Sequence, residues 1–196
     1  MRILFTTVAV LAVIAIASLA LWPRIARAET VKEGDLAPLF TTQMVVGDQV
    51  VPVSLAELRG KKVVLYFYPK DDTPGCTKEA CAFRDDYTRF EASGITVLGA
   101  SIDGADSHKA FIAKYKIPFG LLLDEEKKIA TAYGAANGIP ILGLNKRITY
   151  VIGEDGRIAK MYPNVDPTTH ANQILKDVGA DQAAPPAAVP SPAASH

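Results

Sequence analysis

The residues with the most chemistry in them lie together in one stretch, Pro69-Lys-Asp-Asp-Thr73-Pro-Gly-Cys76-Thr-Lys-Glu-Ala-Cys81, which holds both cysteines of the chain. Thr73 has the side chain of a helix N-cap and Pro74 the fixed φ of a first helical position, so Cys76 falls in the first turn of a helix. Backbone N–H groups there lack intrahelical partners and form the positive end of the helix dipole. A thiol so placed is favoured as its thiolate, the nucleophilic form. Cys81 lies five residues further along the same helix. Five residues along an intact helix rise about 7.5 Å and turn about 500°, beyond what a disulfide accepts. A Cys76–Cys81 bond therefore requires the helix start to unwind.

The flanking sequence supplies elements to position this stretch. Residues 63–68, Val-Val-Leu-Tyr-Phe-Tyr, are a β-branched and aromatic run, the mark of a central strand covered on both faces. The loop 69–73 leads from it into a helix whose apolar period, Ala80, Phe83, Tyr87 and Phe90, continues to Gly94. The carboxyl edge of such a strand is where open α/β sheets bind ligands. Residues 41–53 read as a hairpin about Gly47-Asp48, and Ser54-Leu-Ala-Glu57 as a capping box opening a short helix to Gly60. Strand-like 95–102 and 121–123 alternate with helical 107–116 and an acid-led helix over 124–133. Residues 148–152 and 157–161 flank Glu154-Asp-Gly156 as a closing hairpin, and 167–178 supply a last helix. The sum is a mixed α/β sandwich in one domain.

The ends differ in kind. Residues 3–22 are nearly all apolar, with Arg2 before them and Arg24 and Arg27 after, and Ala26-Arg27-Ala28 offers small residues for cleavage. Residues 1–28 therefore read as a signal peptide, or as an uncleaved anchor of sufficient length to span a bilayer. Either reading places residues 29–179 outside the cytoplasm, as a periplasmic or membrane-tethered domain. Residues 180–196, almost entirely Ala, Pro and Ser, read as a disordered tail. With 21 basic and 21 acidic residues, no net field draws the chain to nucleic acid or an anionic membrane.

Pro69, Thr73 and Cys76 match the P-x-x-x-T-x-x-C motif of peroxiredoxins, and a second cysteine five residues on resembles the bacterioferritin-comigratory or Q-type branch. Arg147, within Arg-Ile-Thr-Tyr-Val-Ile, is similar to the arginine-plus-strand element of that family, and the resemblance runs from about Gly34 to Val178. It implies a thioredoxin-like three-layer fold with a mixed central sheet. It further implies a cofactor-free peroxidase in which Cys76 attacks hydroperoxides and Thr73 and Arg147 bind thiolate and peroxide. Pro69 and Pro74 would shape the pocket, and a thioredoxin-like protein would return electrons to the Cys76–Cys81 disulfide. An intrachain disulfide would let a monomer complete the cycle.

Acidity alone does little for such a thiol. A gain of about thirtyfold in thiolate fraction is offset by roughly tenfold lower nucleophilicity. Most of the rate must come from holding the peroxide in line and stabilising charge as the O–O bond breaks, a task suited to the fixed donors of Arg147.

Other readings stand beside this one. In an exported chain two cysteines can be a static staple, although the spacing is poor for one. A metal site finds no support in the positions of His108 and His170, and His170 reads as a surface or capping residue. Asp71 and Asp72 read as solvated loop acids and Glu79 as a first-turn acid favourable to the helix dipole, and all three must point away, since negative charge opposes a thiolate. A thiol–disulfide oxidoreductase lacks its C-x-x-C here, and a holdase would be indifferent to Cys76→Ser.

Overall fold

The structure, a computed structural model, describes residues 31–136 and 143–180. The N-terminal apolar segment, residues 181–196 and part of the loop from Gly138 to Lys146, including Pro140, lie outside the described residues.

Seven strands form one mixed sheet: β1 (Thr41–Val46), β2 (Gln49–Ser54), β3 (Lys62–Phe67), β4 (Ile95–Ser101), β5 (Gly120–Leu123), β6 (Ile148–Ile152) and β7 (Ile158–Tyr162), in the spatial order β2-β1-β5-β4-β3-β6-β7. The pairs β3–β4 and β4–β5 are parallel, and the rest antiparallel. Gly47, at φ 60, turns the expected first hairpin. The helices are α1 (Pro74–Asp85), α2 (Tyr87–Ala92), α3 (Ala105–Tyr115), α4 (Lys128–Ala132) and α5 (His170–Asp177).

The alternation of β3 builds two cores. Val64, Tyr66 and Tyr68 join Phe83, Phe90, Phe111 and Ile174 from α1, α2, α3 and α5 on one face. Val63, Leu65 and Phe67 join Ile129 and Ala130 of α4, with Tyr133 and Tyr150, on the other. Burial of each such side chain contributes about 1.5–3 kcal/mol, and β3 is the strand on which both layers depend. Among the described residues no helix is long and apolar enough to cross a membrane.

Several local expectations are corrected. The helix read through to Gly94 breaks at Asp86, whose carboxylate is taken by Arg89 and Asn172 while its backbone leaves the helical region at φ −96, ψ 4. Ser54 caps nothing with its side chain; Leu55–Leu58 is a 3-10 turn, and the Ser54 hydroxyl accepts from Thr41 instead. The helix from Asp124 shortens to α4, because the buried Asp124 carboxylate accepts the N–H groups of Ile129 and Ala130 from upstream. Ala180, read as the start of a loose tail, is buried and donates its N–H to the Leu175 carbonyl.

Candidate active site

The β3 strand ends at the carboxyl edge of the parallel strands, and residues 68–73 lead directly into α1. Thr73 occupies the N-cap position with extended backbone (φ −91, ψ 150) and Pro74 is the first helical residue. The Thr73 hydroxyl, however, donates to the Lys70 carbonyl at 3.0 Å and does not cap the helix. Its backbone carbonyl accepts from Thr77 at 2.8 Å. Cys76 sits in the first turn as expected, only 2% exposed.

Arg147 reaches this point through sheet register. β6 runs antiparallel to β3 with Ile148 opposite Phe67, so the residue before Ile148 arrives where β3 gives way to the Cys76 loop. Its Nη2 donates to Cys76 Sγ at 3.3 Å. The approach is close: a Cβ on Gly75 would stand 3.2 Å from Nη2. The returning loop is pinned just before it, where Lys146 donates its N–H to the Ala135 carbonyl at 2.7 Å and its Nζ to Gly134 at 3.0 Å. Pro69, Arg147, Asn145, Lys146, Pro163 and Asn164 line an open groove of about 550 Å³.

Glu79 corrects the expectation that acids here must point away. It is fully buried and forms an ion pair with Arg147 Nη1. Burial pushes its carboxyl up to about 7, against the pull of the guanidinium. Position i+3 from Cys76 puts both side chains on one helix face, a signal that could have found Glu79 in the sequence. The guanidinium between them separates the carboxylate from the thiol, so the pairing restrains Arg147 and answers the like-charge objection.

Asp71 is likewise not a solvated loop acid, whereas Asp72 is exposed as expected. Asp71 is buried among Tyr68, Ser107 and His108. Asp72, at φ 54, pairs with Lys114 and Tyr115, which hold its carboxyl below the usual range. His170 is no surface residue: it is buried, with Nε2 2.8 Å from Thr149 Oγ1 and its ring against Phe83 and Tyr162. Burial lowers its pKa to about 4. Among the described residues no group of three or more His, Cys, Asp or Glu side chains could hold a metal ion.

Pro69, Cys76 and Arg147 are thus brought together, with Thr73 at the helix start. Cys81 stands apart, half-buried and five positions along an unbroken α1, and both cysteines are free thiols. The arrangement offers a buried thiol at a helix N-terminus and, beside it, a restrained cation that also lines the groove.

The profile of the AhpC/TSA family matches residues 34–161. The chain is 45% identical over 147 residues to the chloroplastic peroxiredoxin Q of Sedum lineare, covering 74% of this chain and 77% of that protein. Of solved structures it resembles Xylella fastidiosa PrxQ, with a TM-score of 0.71 and 29% identity over 78% of this chain and 98% of that one. It also resembles the Xanthomonas campestris bacterioferritin comigratory protein, described for its alkyl peroxide reduction activity, with a TM-score of 0.64 and 27% identity over 70% and 90% of the two chains.

Proposed function

This chain belongs to the AhpC/TSA family and is a thiol peroxidase of thioredoxin-like fold, and from that premise we propose that Cys76 is its peroxidatic nucleophile and Cys81 its resolving thiol. The observation that carries the assignment is the 3.3 Å contact from Arg147 Nη2 to a buried Cys76 Sγ in the first turn of α1.

In the first step the Cys76 thiolate attacks the terminal oxygen of a hydroperoxide. The S–O bond forms as the O–O bond breaks, and the departing alkoxide or hydroxide takes up a proton to leave as alcohol or water. Arg147, charged at any working pH, faces the sulfur and the developing negative charge. The Thr73 hydroxyl has its proton on the Lys70 carbonyl, so its lone pairs are free to accept from the peroxide O–H. Pro69 walls the groove that admits the substrate. Hydrogen peroxide and alkyl hydroperoxides both suit an open groove, and alkyl peroxide reduction by the Xanthomonas relative supports the latter.

In the second step the Cys81 thiolate attacks the Cys76 sulfenic sulfur, forming the disulfide and releasing water. The first turns of α1 unwind to let the thiols meet. A thioredoxin-like dithiol then reduces the bond by exchange, the protein acting as a monomer. The apolar segment 3–22 with Ala26-Arg27-Ala28 supports an exported, periplasmic site of action, either after cleavage near Ala28 or on a retained anchor. N-terminal sequencing of the mature protein distinguishes those two.

Stopped-flow peroxide consumption by the reduced protein tests the assignment. Cys76→Ser abolishes fast consumption, whereas Cys81→Ser completes one rapid turnover and accumulates sulfenic acid. Wild-type consumption no faster than a free thiol sinks the reading.

A further inference from the structure

The loop that carries Pro69 and Thr73 into α1 is held from behind by a buried polar clasp that the chemistry above does not use. Asp71 is 6% exposed. Its Oδ1 accepts from the Tyr68 hydroxyl at 2.7 Å and its Oδ2 from the Ser107 hydroxyl at 2.8 Å. The same Oδ2 lies 2.8 Å from Nδ1 of His108, a fully buried ring whose Nε2 faces the Leu122 carbonyl at 3.1 Å. The ring is thus held at both nitrogens, one on the Asp71 carboxylate and the other on a backbone carbonyl. The Asp71 N–H also donates to Asp103 Oδ2 at 2.8 Å, which takes the Ser101 hydroxyl as well.

These partners come from the end of β3, from β4 and the loop after it, from α3 and from β5. None of them belongs to α1. The first turns of α1 can therefore open without breaking the clasp, whereas opening the clasp strands a buried carboxylate.

We propose that His108 is a positioning residue for the Cys76 site: through Asp71 it keeps the loop from Pro69 to Thr73 docked while α1 opens, confining the movement to the helix beyond Thr73. The peroxide-binding side of the site then survives the redox cycle in place, ready when α1 rewinds. This deepens the two-cysteine reading above and rests on it.

Amide hydrogen exchange resolved by NMR on the full chain decides it, with the reduced protein compared to protein treated with one equivalent of hydrogen peroxide and mass spectrometry reporting the disulfide. In wild type, oxidation speeds exchange from Cys76 to Cys81 while the Asp71 amide keeps its protection. His108→Leu speeds Asp71 exchange about tenfold or more, and His108→Asn, whose amide nitrogen stands where Nδ1 was, restores most of it. An Asp71 amide that opens together with Cys76 in wild type, or that ignores His108→Leu, overturns the proposal. If no disulfide forms, it is the resolving role of Cys81 that fails. The clasp is then judged in the reduced protein, where native-state openings of α1 set the same two amides against each other. Should His108→Leu not fold, His108→Asn against His108→Gln, which keeps only the Nε2-side donor, gives the same contrast.

Discussion

Glu79 and Arg147 form an ion pair in which the carboxylate is fully buried and the guanidinium one-fifth exposed. The pair fixes one fork of Arg147 and leaves the other on Cys76 Sγ. A flexible surface arginine becomes a rigid donor in this way, because a planar guanidinium held at one nitrogen has its other nitrogens placed by its own geometry.

Arg147→Lys keeps the charge and loses that geometry. A single ammonium cannot serve Glu79 and Cys76 at once from the same stem, and the peroxide rate constant falls on the order of a hundredfold, the scale seen when one preorganised donor is removed. Stopped-flow oxidation of the reduced protein measures this. A rate constant close to wild type would show that Arg147 does not act on the transition state.

The raised Glu79 pKa predicts a pH effect. Below about 7 the carboxyl holds a proton and Arg147 loses its ionised partner. The rate profile of wild type therefore carries an inflection near that value, which Glu79→Gln removes. Stability has its own sign: the native state keeps a proton that the unfolded chain releases from 4.5 upward. This group thus lowers stability as pH rises from there to about 7. Urea titrations across that window read the slope, and Glu79→Gln lacks it.

His170 acts in the opposite sense. Its folded value is lowered to about 4 from 6.5, so the unfolded chain binds a proton that the native state refuses. Its contribution is fully present above 6.5 and is lost as pH falls to about 4, a swing on the order of 3 kcal/mol. His170→Gln flattens the acid limb of the stability curve. An unchanged acid midpoint in that variant would mean that His170 is not held neutral.

Gly75→Ala tests the closeness of Arg147 to the helix. The new Cβ meets Nη2 at 3.2 Å, and the guanidinium, tied to Glu79, must shift by a few tenths of an ångström. Peroxide reduction slows severalfold, since small misplacements of a positioned group lower the rate, while the thermal midpoint hardly moves. Equal loss of both would place the effect in folding.

Much of this molecule could be read along the chain. The β-branched run of β3, the Thr73-Pro74 helix start and the hairpin about Gly47 are local signals, and each formed where expected. The polar side chains were read less well. Asp71, Glu79 and His170 all looked like surface residues, since an isolated acid or histidine is usually exposed. Each is buried because a distant segment supplies its partner: His108 for Asp71, Arg147 for Glu79, Thr149 for His170. The break at Asp86 was hidden for the same reason, since Asn172 lies 86 positions away.

The sequence by itself determined the class of fold and the placing of Cys76 in the first turn of a helix, because strand period, helix start and cysteine placement are set by residues within a few positions of one another. Tertiary structure alone decided which acid restrains Arg147 and what anchors the Cys76 loop. Those depend on the antiparallel register that sets Ile148 against Phe67 and on the packing of α3 behind the loop, and a hydrogen bond between residues far apart in sequence leaves no periodicity to read.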